Sequence, residues 1–253
     1  MGVYDFASEN TPCWGDSLMA ITLGLQQGWN WVSHNLASKV HASRFTGYAQ
    51  HIIGQYESLV KENEGRWSGT LDGMSTAMGY KVRMSAAADI TLRGNLFDVD
   101  TLVSVSQGWN WLGCPLYNAT TVETALKNYV PTEGDAIVGI NAFATYEDGR
   151  WVGTLASLSP GQAYLLKCGK AQRFSWNSLA TPVIRKARRY AAPQEEEDVP
   201  MPWQVDMHAY PNVACIIAAL EMDDSMVEDN TVAAFCNDEC RGLAKVVDGL
   251  LYM

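Results

Sequence analysis

"SQGWNWLGCPL", residues 106–116, decides how this chain is read, because "QQGWNWVSHNL" at residues 26–36 spells the same Gly-Trp-Asn-Trp core. Trp109 follows Trp29 by 80 residues; Trp151 follows Trp67, and Tyr164 follows Tyr80, by 84. Gly28, Asn30 and Trp31 answer Gly108, Asn110 and Trp111. "GRWSGTL" (65–71) answers "GRWVGTL" (149–155), and Ser75 answers Ser159. One small insertion in the second copy accounts for the change of spacing. Self-similarity at a fixed period marks a repeated structural unit. Two copies are therefore expected, at residues 21–94 and 95–178, after a lead-in at 1–20.

Each copy reads mainly as strands. "ITLGL" alternates ahead of a Gly-containing turn. In the strand that follows, Trp29, Trp31 and Ser33 share one face, and Asn30, Val32, His34 and Leu36 the other. "TTVETALKNYV" (120–130) is the most helical stretch, with Thr120 or Thr121 as N-cap and Val122, Ala125, Leu126 and Tyr129 on one side. "HASRFTGYAQHI" takes its place in the first copy, weakened by Gly47. "HIIGQYESLVKE" and "AIVGINAFATYE" read as strands that run into Gly-Arg-Trp and a short "GTL" strand. "YKVRMS" places Tyr80, Val82 and Met84 inward and Lys81 and Arg83 outward. The order strand-strand-helix-strand-strand-strand, written twice, defines an α+β, β-rich fold. Each unit is too small to bury much by itself, so the two are expected to pack as a pseudo-symmetric pair.

Composition sets outer bounds. Of 253 residues 47% are hydrophobic and 18% charged, which describes a core-forming chain. The net charge of −10 argues against nucleic acid and anionic membrane, both of which need a basic face. No apolar run is long enough for a membrane-spanning helix. "MGVYDFASENTPCWGD" has neither the basic start nor the apolar stretch of a secretory signal. That leaves a cytoplasmic chain or a piece of a longer exported one. Residues 179–199, part of "LATPVIRKARRYAAPQEEEDVPMP", read as a charged, Pro-containing linker. Residues 200–253 hold nine acidic and two basic residues. Within them "VACIIAALEM" reads as a buried strand, with "TVAAFC" and "LAKVV" around a turn at "NDECRG". These few strands make part of a β-sandwich-like module. It stops on the apolar run "GLLYM", so an open sheet edge and dimerisation through it are expected.

Residues that carry chemistry are sparse. There is no G-x-S-x-G, H-E-x-x-H or P-loop pattern, and no cofactor is implied. His34 and His41 do not form the one-turn pair of a metal helix, and no metal site is expected. Glu57, Glu62, Glu64, Glu147 and Asp148 could form a carboxylate pair for glycoside hydrolysis, but they fall at turns, where polar residues belong anyway. The acidic run "EMDDSMVEDN" (221–230) lacks EF-hand spacing and reads as a solvated turn. Cys236 and Cys240 bracket a turn, so a disulfide and two free thiols both stay open. Trp29, Trp31, Trp67, Trp109, Trp111, Trp151, Tyr80 and Tyr164 recur beside turn glycines and read as framework. Asn30 and Asn110 read as amides that satisfy turn backbone. Trp14, Trp176 and Trp203 lie outside the shared pattern and are the candidate exposed platforms for a sugar ring.

"GWNWVSHNL…GRWSGTL…GYKVRMS…ITLRG" and its second copy resemble the tandem Gly-Trp-Asn-Trp repeats of large cell-surface proteins of Bacteroides-type bacteria. "PWQVDMHAYPNVACIIAAL…AAFCNDECRGLAKVVDGLLYM" is similar to a second module of the same proteins, with its C-terminal half missing. The resemblance implies an exported, surface-located protein whose partners are glycans or surface proteins of host or bacterium. It carries over no catalytic residue. Cys236 departs from the small or apolar residue of that pattern, which is what brings a Cys236–Cys240 link into view. Three functions follow as expectations: a non-catalytic adhesion or scaffolding module, a carbohydrate-binding module, or an accessory domain of a glycosidase or peptidase.

Overall fold

The two Gly-Trp-Asn-Trp stretches become the first strands of two five-stranded antiparallel sheets. A computed structural model describes residues 19–177, 203–219, 221–222, 225–226, 231–247 and 250–253. In the first half the strands are β1 (Met19–Leu25), β2 (Gly28–Val32), β3 (Val40–His41), β4 (Ala49–Ile53), β5 (Ser58–Lys61), β6 (Trp67–Gly69), β7 (Gly73–Met74), β8 (Tyr80–Met84) and β9 (Ala88–Gly94). The second half follows with β10 (Val103–Val105), β11 (Gly108–Gly113), β12 (Thr120–Thr121), the helix α1 (Val122–Ala125), β13 (Ala136–Val138), β14 (Phe143–Glu147), β15 (Arg150–Gly153), β16 (Ser157–Leu158), β17 (Ala163–Cys168) and β18 (Gln172–Phe174). The large sheets run β2-β8-β4-β5-β6 and β11-β17-β13-β14-β15, the same order in both halves. The small pairs β1-β9 and β3-β7 are matched by β10-β18 and β12-β16. The chain is β-rich and its sheets are antiparallel.

Several expected elements change form. The helix expected over 120–130 is a single turn. Thr121 caps it by accepting from the Thr124 N–H, and the backbone leaves helical geometry at Leu126. Pro131 then holds Val130 away from the helical region. In the first half a 3-10 turn, Ala42–Arg44, stands in its place. "HIIGQYESLVKE" is a hairpin rather than one strand: the chain reverses where Gly54 N donates to Glu57 O, and the equivalent reversal joins Gly139 N to Ala142 O.

The conserved spacing within each copy has local causes. Tyr80 Oη accepts from Ser75 N at 2.7 Å, and Tyr164 Oη from Ser159 N at 2.9 Å. The glycine of each "GTL" has a positive φ, 142° at Gly69 and 145° at Gly153. A Cβ there would lie 2.1 Å from Ser58 O and 2.3 Å from Phe143 O, so the strand pair closes only over glycine.

Each half has its own core. Val32, Phe45, Ile52, Met74, Val82 and Met84 fill the first, with Trp67 packed at its border. Leu112, Ile137, Leu158, Leu166, Phe174 and Trp176 fill the second, bordered by Trp151. Equivalent positions in the two cores hold His34 and Cys114, both fully buried. His34 Nε2 donates to Met74 O at 2.9 Å while its Nδ1 accepts from Leu36 N at 3.3 Å, which requires the neutral ring. The Cys114 thiol is pushed up to about 12 by burial and is also neutral.

The last module forms a four-stranded sheet from β19 (Ile217–Ala219), β22 (Thr231–Cys236), β23 (Glu239–Val247) and β24 (Leu250–Tyr252), after the pair β20 (Glu221–Met222) and β21 (Ser225–Met226). Its order is β19-β24-β23-β22, so "GLLYM" is an interior strand. "VACIIAALEM" is not the buried strand expected: Val213, Ile216 and Ile217 are exposed, because nothing among the described residues covers that face of β19. The turn at "NDECRG" is confined to Asn237 and Asp238, both at positive φ (49° and 64°), and Glu239 already belongs to β23.

Burial lowers the His34 pKa from its ordinary 6.5, and burial with Arg83 nearby lowers that of His51. Each ring binds fewer protons folded than unfolded, so their contribution is complete above pH 6.5 and is lost as pH falls below it. Denaturant titrations from pH 8 to pH 5 are expected to show stability falling on the acid side of 6.5, with a shallower fall in His34→Gln.

Candidate functional site

The most chemically unusual place in the molecule is where the outer faces of the two large sheets meet. Alternation along β2 sends Val32 into the first core and Trp31 the other way, onto the second half. There Trp31 packs with Val138, Phe143 and Ala163, bordered by Ile140, Val152 and Leu165. Backbone bonds tie the seam in matched pairs. Ser33 N donates to Gly161 O at 2.8 Å and Gly113 N to Ala77 O at 2.9 Å. Val32 bridges Gln162, and Leu112 bridges Met78. Ser33 Oγ adds a bond to Gln162 O at 2.7 Å.

The side chains at the seam are not matched. Leu165 follows Tyr164 in the second half, but Lys81 follows Tyr80 in the first. Lys81 was expected to point outward to water. It is only 3% exposed, because the outer face of its sheet is covered by the other half and by the last module. Its ammonium lies 4.5 Å from the Trp31 ring centroid and 4.7 Å from that of Trp111, between the two indoles. Its Nζ donates to Asn212 Oδ1 at 2.9 Å. Burial drives its pKa down to about 8. The two ring faces and the amide oxygen are the groups that meet its charge. Trp31, Gly79, Tyr80, Trp111, Ala163, Tyr164 and Leu165 surround it, and no water-sized cavity remains among them.

A second contact brings the last module onto the first half. Trp29 N donates to His208 O at 2.7 Å, and His208 Nδ1 lies 2.6 Å from Trp29 O. Trp29 also meets His51, with ring centroids 5.6 Å apart, and is 7% exposed. Its counterpart Trp109 is 49% exposed. Beside Trp109, Gln55 donates from Nε2 to Trp109 O at 3.0 Å and to Tyr56 Oη at 2.9 Å, and its Oε1 accepts from Trp111 N at 2.9 Å. Tyr56 is 81% exposed. Sequence reasoning missed Lys81, Gln55, Tyr56 and His208, none of which belongs to the repeated motif. The departure of Lys81 from Leu165 was the available signal.

The sequence-derived candidates fall as follows. Asn30 and Asn110 brace their turns alike: their Nδ2 atoms donate to Gln26 O and Ser106 O, each at 2.8 Å. Trp176 is no platform. It is fully buried in the second core, 5.6 Å from Phe174 between centroids, because β18 carries it inward. Trp203 is partly exposed and stacks edge-on against Phe235 at 5.9 Å. Trp14 and the linker at 179–199 lie outside the described residues. Cys236 and Cys240 are free thiols. Cys236 pairs with Glu239 and Cys240 with Phe235, so the two side chains point to opposite faces of the hairpin. Glu62 binds Arg66 at 2.7 Å, and Glu57 and Asp148 sit exposed at separate turns. Among the described residues no cluster of three or more His, Cys, Asp or Glu could hold a metal, and no helix is long and apolar enough to cross a membrane. Comparison with known protein families, with characterised proteins and with solved structures gives no match.

Lys81→Leu, which copies the second half, is expected to remove a desolvation cost of about 3 kcal/mol, since each pKa unit is ~1.4 kcal/mol. Wild-type stability rises from pH 8 toward pH 10, where the unfolded chain holds the proton that folded Lys81 releases. Denaturation of Lys81→Leu is expected to show higher stability at pH 7 and no such rise.

Proposed function

We propose that this chain is a non-catalytic surface module for adhesion or scaffolding, part of a larger exported protein. The observation that carries the reading is the use made of its most chemically distinctive residues. Lys81, Trp31 and Trp111 close a dry seam between the two halves, and Asn212 brings the last module to the same ammonium. A buried cation between two indoles, with no room for a substrate, serves mechanical continuity. The resemblance to tandem Gly-Trp-Asn-Trp modules supports a cell-surface setting, and the charge of −10 suits a protein that stays clear of anionic membranes.

A second reading, glycan capture, is favoured by Tyr56 and Trp109, two exposed aromatic residues, with Gln55 donating to the Tyr56 hydroxyl and to the Trp109 main-chain oxygen. Flat aromatic faces beside a polar amide are the chemistry that stacks on a pyranose ring.

Two measurements separate the readings. Trp31→Ala is expected to cost about 3–5 kcal/mol and to split one unfolding transition into two, because the halves lose their common seam. On a glycan array the folded wild type is expected to stay silent. Strong binding that Tyr56→Ala and Trp109→Ala abolish would reject the scaffold reading in favour of sugar capture.

A further inference from the structure

The first strand of each large sheet begins with the same backbone, and only one of the two beginnings is covered. Gly28 has φ 90° and Gly108 φ 92°. Trp29 sits opposite Arg83 on β8, and Trp109 opposite Lys167 on β17, in the same register. Both Trp29 main-chain groups turn outward to His208, so this residue belongs to the pairs that exchange no bonds with the neighbouring strand. The shared register turns the Trp109 main chain to the outer edge in the same way. At the first edge a Cβ on Gly28 would lie 2.4 Å from His208 O; on Gly108 it would meet nothing within 4 Å. Trp29 is buried under the His208 loop, and Trp109 stands half exposed. The second edge therefore has the backbone, the glycine clearance and the tryptophan of the first, without the loop.

We propose that the Gly108–Trp109 edge is a second docking site for the last module, filled by the 206–212 loop of a second copy of this chain. The occupant is identified by the chemistry of the filled site. A main-chain carbonyl takes the tryptophan N–H, an imidazole nitrogen donates to the tryptophan carbonyl, and the loop backbone lies over a glycine. Trp109 O already accepts from Gln55 Nε2, but a carbonyl oxygen has two lone pairs, and the second is open to an imidazole.

Each chain has one loop and two docks, so the docks compete. The first dock adds the Lys81–Asn212 bond, and the second has Leu165 at that position. Docking within one chain is favoured by this bond and by its high effective concentration. Docking between chains is the weaker, concentration-dependent event. It joins a loop to a different surface on the neighbour, a head-to-tail contact that propagates unless the ring closes.

Sedimentation velocity of the full chain over a wide concentration range tests this. Gly28→Ala blocks the first dock and is expected to strengthen self-association at least about tenfold. Asn212→Ala weakens the first dock while leaving both repeats untouched, and is expected to shift association in the same direction. Adding Gly108→Ala, whose Cβ would stand where the docked loop backbone lies, or His208→Ala, to either variant is expected to restore the monomer. The proposal is overturned if the folded Asn212→Ala protein stays monomeric, or if association persists with Gly108→Ala added. It is equally overturned if the variants stay monomeric while Trp109 is needed for binding a glycan.

Discussion

A strand at the border of a sheet leaves main-chain N–H and C=O groups that must be satisfied somewhere, and in this protein that requirement falls on β2 and β11. Each is the outermost strand of its sheet. Each half answers the other's need: the loop before β17 bonds Ser33, and the loop before β8 bonds Gly113. What remains of the two edges is treated differently. Gln55 reaches across to Trp109 and Trp111, and the His208 loop covers Trp29. Pairing of the halves and attachment of the last module are thus one solution to one backbone problem.

The seam so formed departs from symmetry where side chains meet. On one side Trp31 enters an apolar bed of Val138, Phe143 and Ala163. On the other, Lys81 holds a position that Leu165 holds in the second half, and the two indoles and Asn212 accommodate its charge. A buried cation is a poor source of stability compared with a hydrophobe of the same size. It does give the last module a polar anchor on one half only.

Much of the local structure was legible beforehand. The alternation of β2 and β8 and the turn-bracing amides of Asn30 and Asn110 depend on residues within a few positions of one another. The single-turn helix was overread because Val122, Ala125, Leu126 and Tyr129 share a face, yet the backbone leaves helical geometry already at Leu126, and Pro131 bars its return at Val130. Trp176 was misplaced because a residue outside a repeated motif need not be outside a core.

The sequence by itself determined the two Gly-Trp-Asn-Trp stretches, the strand periodicity around them and their turns, since those rest on spacing and on the conformational freedom of particular glycines. Only the tertiary structure decided what the tryptophans do. Trp29 and Trp109 sit in nearly the same local sequence, yet one lies beside His51 and beneath His208 while the other faces water. Burial is set by what arrives from distant parts of the chain, and no local pattern encodes which neighbour arrives.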